Sequence, residues 1–124
     1  MRVLLIDDED DIREVASLCL SAVGGMEVIE AASGPEGVEL ARQRKPDLVV
    51  LDMMMPGVDG PATMTQLRDD EATREIPVIF LTARASASDT SRLESMGAIG
   101  VLTKPFDPAT LADQVRRLYE RRER

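Results

Sequence analysis

Asp7 and Asp8 follow the apolar run Val3-Leu4-Leu5-Ile6, and Asp52 ends a second run, Leu48-Val49-Val50-Leu51. Carboxylates brought to one place repel each other unless something positive stands among them. A divalent cation held by oxygen ligands meets that need. Two later runs deliver complementary groups: Pro77-Val78-Ile79-Phe80-Leu81 leads to Thr82, and Ile99-Gly100-Val101-Leu102-Thr103 leads to Lys104-Pro105-Phe106. Three aspartates against one lysine leave a formal charge of −2 (1 − 3), which one divalent cation cancels. An acidic nucleophile, a metal nest, a hydroxyl and an ammonium are the parts needed to accept a phosphoryl group.

The elements that must position these residues alternate strand and helix throughout. Continuous apolar runs of this length read as strands buried on both faces, as in parallel α/β sheets. After the first strand, Asp10 or Asp11 is expected to cap a helix with Ile12, Val15, Ala16, Cys19 and Val23 on one face, stopped by Gly24-Gly25. Glu27–Ala31 alternates as a half-buried edge strand does. Ser33 and Glu36 form a capping box for a second helix, with Pro35 in its first turn and Val38, Leu40 and Ala41 as its apolar stripe. A turn-rich loop, 53–60, leads to a third helix from Pro61 to about Asp70. A fourth, over roughly Ser88–Met96, is rich in poor helix formers and ends at Gly97. Asp107-Pro108 is expected to open a fifth, through about Tyr119. This pattern predicts a doubly wound five-stranded parallel sheet of the flavodoxin-like kind. The order 2-1-3-4-5 puts the acids at the switch point between strands 1 and 3, beyond the strands' carboxyl ends.

Length and composition narrow the classes. The 124 residues suit a single domain, 1–124, and 44% hydrophobic with 31% charged residues fits a folded chain rather than a disordered one. A net charge of −8 argues against direct nucleic-acid binding by this domain. The basic end over 116–124 reads as a solvated last helical turn whose cations suit a helix C-terminus. One Tyr, two Phe and no Trp weigh against stacked ring cofactors. Cys19, the one cysteine, is expected to be a buried small hydrophobe. The chain enters a strand directly and has no membrane-length apolar run, so a cytoplasmic protein without a membrane partner is expected. It ends soon after the fifth helix, so no output domain is expected within it.

Each polar residue also has an ordinary explanation. Asp8 to Asp11 suit a helix N-terminus, Asp52 suits a turn ahead of Pro56-Gly57, and Lys104 suits solvent. What favours a site is the joint arrangement, with every group at the same end of a different predicted strand.

Over its whole length the chain resembles the receiver domain of two-component response regulators, including the chemotaxis-regulator type. The matching residues are Asp7-Asp8, Asp52, Met55-Pro56-x-x-Asp59-Gly60, Thr82-Ala83 and Lys104-Pro105-Phe106, in this order and at these intervals. The resemblance implies that Asp52 is the phosphoacceptor, charged by a sensor histidine kinase or a histidine phosphotransfer protein. It implies Mg²⁺ held by Asp8, Asp52 and the Met54 backbone carbonyl, with Asp7 helping through water. Thr82 and Lys104 would contact phosphoryl oxygens, and the Lys104-Pro105 bond would be cis. Such a domain is not an enzyme beyond its own phosphorylation and dephosphorylation, and it controls a downstream protein partner that the sequence does not identify. With no histidine, the chain cannot be the histidine-bearing relay partner.

Three rival readings stand beside this one. Mg²⁺-dependent phosphohydrolases also use an aspartyl nucleophile, but place a second acid two residues on, where this chain has Met54. A flavin carrier on the same fold needs a Ser/Thr/Gly-rich phosphate loop after the first strand, which is absent here. An inactive receiver-like interaction module would lack one of the catalytic residues, and none is missing. Two departures from common family patterns carry expectations. Met54 and Arg84, two residues beyond Asp52 and Thr82, are poorly suited to orient a hydrolytic water, so a long-lived phosphorylated form is expected. Val101 replaces the aromatic that often swings in the switch, so the change is expected to run through the Thr82–Ala87 loop and the fourth helix.

Overall fold

The computed structural model describes residues 1–83 and 86–122. Five strands, β1 (Arg2–Ile6), β2 (Glu27–Ala31), β3 (Leu48–Asp52), β4 (Val78–Thr82) and β5 (Gly100–Thr103), form one parallel sheet in the order β2-β1-β3-β4-β5. Helices α1 (Asp10–Leu18), α2 (Gly34–Arg44), α3 (Gly60–Asp69), α4 (Ala87–Ser95) and α5 (Leu111–Arg121) connect and follow the strands. This is the doubly wound flavodoxin-like fold that the apolar runs predict.

Strand alternation sorts the core into two layers. Leu4, Ile6, Val49, Leu51, Val78 and Phe80 face the side covered by α2, α3 and α4. Val3, Leu5, Leu48, Val50, Ile79 and Leu81 face the side covered by α1 and α5. β3 and β4 are buried along their whole length. Burying a Leu, Val or Phe side chain contributes about 1.5–3 kcal/mol, so these central strands anchor the positions of whatever follows them. β2 shows the expected half-burial of an edge strand.

Several helix details differ from expectation. The N-cap of α1 is Glu9, without a side-chain cap bond, so Asp10 and Asp11 lie inside the first turn and act through the helix dipole. Beyond Leu18 the backbone widens into a π-helical turn, Cys19–Val23, closed by the Gly24 N–H donating to the Cys19 carbonyl. The wider turn rotates Leu20 into the core and leaves Val23 64% exposed. Val15 is also exposed, so the buried face is Ala16, Cys19 and Leu20. In the α2 capping box Ser33 accepts from the Glu36 N–H, while the Glu36 carboxylate accepts from the N–H of Ala32 rather than Ser33.

α3 begins at Gly60, one residue before Pro61, because Asp59 caps it by accepting from the Ala62 N–H at 2.9 Å. Ser86 caps α4 by accepting from the Asp89 N–H, and Gly97 at φ 105° follows the helix's C-cap, Met96, and turns the chain toward β5. Asp107-Pro108 does not open α5. The Asp107 carboxylate accepts from the Ala109 N–H and its carbonyl from Thr110 and Leu111, which makes a separate turn, and the helix starts after Thr110. Cys19 is buried. No helix among the described residues is long and apolar enough to cross a membrane. Arg84 and the last two residues of the basic end lie outside the described residues.

Candidate functional site

The carboxyl edge of the sheet carries the chemistry. Asp7 is the first residue past β1, and its N–H donates to the Ala31 carbonyl at 3.1 Å, continuing the β1–β2 ladder by one step. Arg13 of α1 donates to the Asp7 carbonyl at 2.8 Å, so the backbone is held from both sides. Asp52 is the last residue of β3, paired in register with Leu81. Lys104 follows β5, and its N–H donates to the Thr82 carbonyl at 2.7 Å, tying the end of β5 to the end of β4. The Lys104-Pro105 peptide is cis.

These placements bring Asp7, Asp8 and Asp52 together, with one carboxylate oxygen of each within 4.8 Å of the others. Asp7 is 1% and Asp52 4% exposed, which makes their charges costly without partners. The Lys104 ammonium supplies the counter-charge at 2.7 Å from Asp7 Oδ2, 3.4 Å from Asp52 Oδ1 and 3.7 Å from Glu9 Oε1. Asp7 Oδ1 accepts from the Glu9 N–H at 2.9 Å, and Asp52 Oδ1 accepts from the Met54 N–H at 3.3 Å. Two buried oxygens, Asp8 Oδ1 and Asp52 Oδ2, have no hydrogen-bond partner among the described residues.

The electrostatics follow from this geometry. Burial, and then the charge of Asp7, push the Asp52 carboxyl up to about 6, against the opposing pull of Lys104 and the Met54 N–H. Burial works against the Lys104 ammonium, but its hydrogen bond to Asp7 and the charges of Asp7 and Asp52 outweigh that and hold its pKa above the ordinary value. The pocket is therefore short of positive charge even with Lys104 in it. Orphaned carboxylate oxygens and hard donors fit a divalent cation such as Mg²⁺, which prefers few protein oxygens and keeps open positions.

Thr82 is fully buried at the end of β4, and its hydroxyl donates to the thioether of Met53 with an O···S distance of 3.6 Å. Val101 is half-buried, pairs with Phe80 across β4 and β5, and packs on the layer under α2, α3 and α4. A cavity of about 540 Å³ lies between the 53–59 loop and α4, lined in part by Met53, Met54, Asp59 and Arg92. Sequence reasoning did not single out Met53 as a partner of Thr82 or Glu9 as a neighbour of Lys104. Glu9 carried a faint signal, as part of the acidic run after Asp7, whereas nothing in spacing marks Met53.

The chain is similar to known proteins along most of its length. Residues 3–116 match the family described as the response regulator receiver domain. The chain is 42% identical over 123 residues to the DNA-binding dual master transcriptional regulator RpaA of Synechocystis sp., covering 99% of this chain and 51% of that protein. It is 35% identical to the phosphate regulon transcriptional regulatory protein PhoB of Pseudomonas aeruginosa, covering 96% of this chain and 52% of that one. It thus spans about half the length of these curated relatives. Among solved structures it resembles the Vibrio cholerae chemotaxis protein CheY4, with TM-score 0.87, 32% identity, and 94% and 97% of the two chains covered.

Proposed function

This chain belongs to the response regulator receiver family, and from that premise we propose that Asp52 accepts a phosphoryl group with Mg²⁺ and that the modified chain controls a protein partner. The observation that carries the reading is the pair of orphaned buried oxygens, Asp8 Oδ1 and Asp52 Oδ2, beside a lysine held by Asp7. Asp8, Asp52 and the Met54 carbonyl would hold the cation, with Asp7 aiding through water. Bound there, Mg²⁺ would neutralise charge on the carboxylates and on the incoming phosphoryl oxygens.

The protein's own groups do the rest. Of the two Asp52 carboxylate oxygens, one would face the cation and the other would attack phosphorus. Transfer to a carboxylate demands positioning and charge neutralisation more than covalent help, and β1, β3 and β5 provide rigid positions. Lys104 would move its contact from Asp7 toward a phosphoryl oxygen. Thr82 would exchange the Met53 thioether, a weak acceptor, for a stronger anionic one. That exchange would shift β4 and the start of α4, changing the surface offered to a partner.

The donor would be a sensor histidine kinase or a histidine phosphotransfer protein, and the chain would work in the cytoplasm. DNA binding, part of the name of RpaA, is not expected of this acidic chain itself. The test is intact mass after incubation with Mg²⁺ and acetyl phosphate. One base-labile phosphoryl group is expected on the chain and none on Asp52→Ala. Equal labelling of the variant refutes the assignment.

A further inference from the structure

Met53, Met54 and Met55 are consecutive, yet their sulfurs meet three different environments. Met55 is 7% exposed and packs in the core, and Met53 is half-buried with its sulfur on Thr82. Met54 is 59% exposed, although its own N–H is tied to Asp52 Oδ1. That bond holds the backbone two positions from the proposed phosphoacceptor, while the residue stays open to solvent and lines the 540 Å³ cavity. Met26 and Met64 are buried. Methionine sulfurs are oxidised according to their access to the oxidant, so Met54 is singled out at the site.

We propose that Met54 is an oxidation site through which a hydroperoxide shortens the life of the phosphorylated state; the second half rests on the function proposed above. In the reaction a sulfur lone pair attacks the terminal peroxide oxygen. An S–O bond forms, the O–O bond breaks, and water leaves when the oxidant is hydrogen peroxide. Sulfur loses two electrons and the peroxide gains them. The side chain keeps its length and exchanges an apolar surface for a strongly accepting oxygen.

Native Met54 offers a water only a weak sulfur contact, on a residue whose backbone N–H is held by Asp52 Oδ1. A water approaching phosphorus on Asp52 needs an acceptor to orient it, and the sulfoxide oxygen supplies one. A dedicated general base yields roughly 10²–10⁴-fold, and a neutral sulfoxide that only orients water yields less, several-fold. Methionine sulfoxide reductase would reverse the change, making it a reversible signal.

The experiment labels the whole chain with acetyl phosphate and Mg²⁺, removes donor, treats half with hydrogen peroxide, and follows intact mass and peptide masses with time. The expected result is one added oxygen, assigned by fragment ions to Met54 before Met53, Met55, Met26 or Met64, with a several-fold shorter half-life of the phosphoryl group. Reductase should restore the half-life, and in Met54→Leu the treated and untreated half-lives should be equal. Oxidation that spares Met54, an unchanged half-life after Met54 oxidation, or shortening that persists in Met54→Leu would each overturn the inference. Absence of any label on the untreated chain would instead refute the phosphoacceptor reading and with it the lifetime effect, leaving the peptide masses to decide the oxidation site alone.

Discussion

Lys104 stands nearer to Asp7, at 2.7 Å, than to Asp52, at 3.4 Å. The lysine is therefore anchored by Asp7 rather than by the proposed phosphoacceptor, so it could turn toward Asp52 without leaving the site. Removing it strands two buried carboxylates. Lys104→Ala should lower stability in chelator by about 3 kcal/mol, the lower end of the cost of breaking a buried pair. Added Mg²⁺ should recover part of the loss. Denaturant unfolding with and without the metal decides this, and an unchanged midpoint in chelator would contradict it.

Asp52 links stability to pH in a defined direction. Its carboxyl titrates at about 6 in the fold against an ordinary value of 3.8. The folded state therefore holds the proton more tightly, and this contribution is complete below 3.8 and lost as pH rises through about 6. Asp7, Asp8 and Lys104 stand around the group, and Glu9 lies 3.7 Å from the Lys104 ammonium. A cation at the carboxylates competes with that proton. The rise in melting temperature on adding Mg²⁺ should be small near pH 4 and full near pH 7, and an equal rise at both would exclude coupling through Asp52.

Gly60 lets the loop after β3 close on the strand. A methyl group there would lie 2.5 Å from the Asp52 carbonyl oxygen and 2.8 Å from the Met53 Cα, both backbone atoms that cannot turn aside. Gly60→Ala should cost about 1–3 kcal/mol by overpacking and weaken Mg²⁺ binding, because Asp52 and Met54 share the displaced backbone. Calorimetric metal titration of the folded variant checks the second effect, and native affinity would show the site tolerates the shift.

The switch should travel through Thr82 and α4. α4 has a single buried residue, Leu93, and is capped by a serine whose partner is Asp89 of the same turn. Few buried contacts mean a low cost of local rearrangement. Amide exchange with and without beryllofluoride should change most between Thr82 and Gly97. A response confined to β5 around Val101 would place the switch elsewhere.

The apolar runs Val3–Ile6, Leu48–Leu51 and Val78–Leu81 determined the parallel sheet by themselves, because only doubly buried strands tolerate uninterrupted apolar sequence. Sheet order and the chain positions of Asp7, Asp8, Asp52, Thr82 and Lys104 then followed from strand ends, a one-dimensional property. What the linear pattern could not express was local backbone geometry and side-chain direction. The π turn at Cys19–Val23 moved Leu20 inward and Val23 outward although both fit a helical stripe. Asp107 looked like a cap and made a turn, since its carbonyl as well as its carboxylate found nearby N–H donors. The choice of Asp7 as the lysine's anchor, of Met53 as the threonine's partner and of Met54 as the exposed thioether was made in three dimensions. Those contacts join residues 29 to 97 positions apart, or separate neighbours that share one chemistry, and only packing distinguishes them.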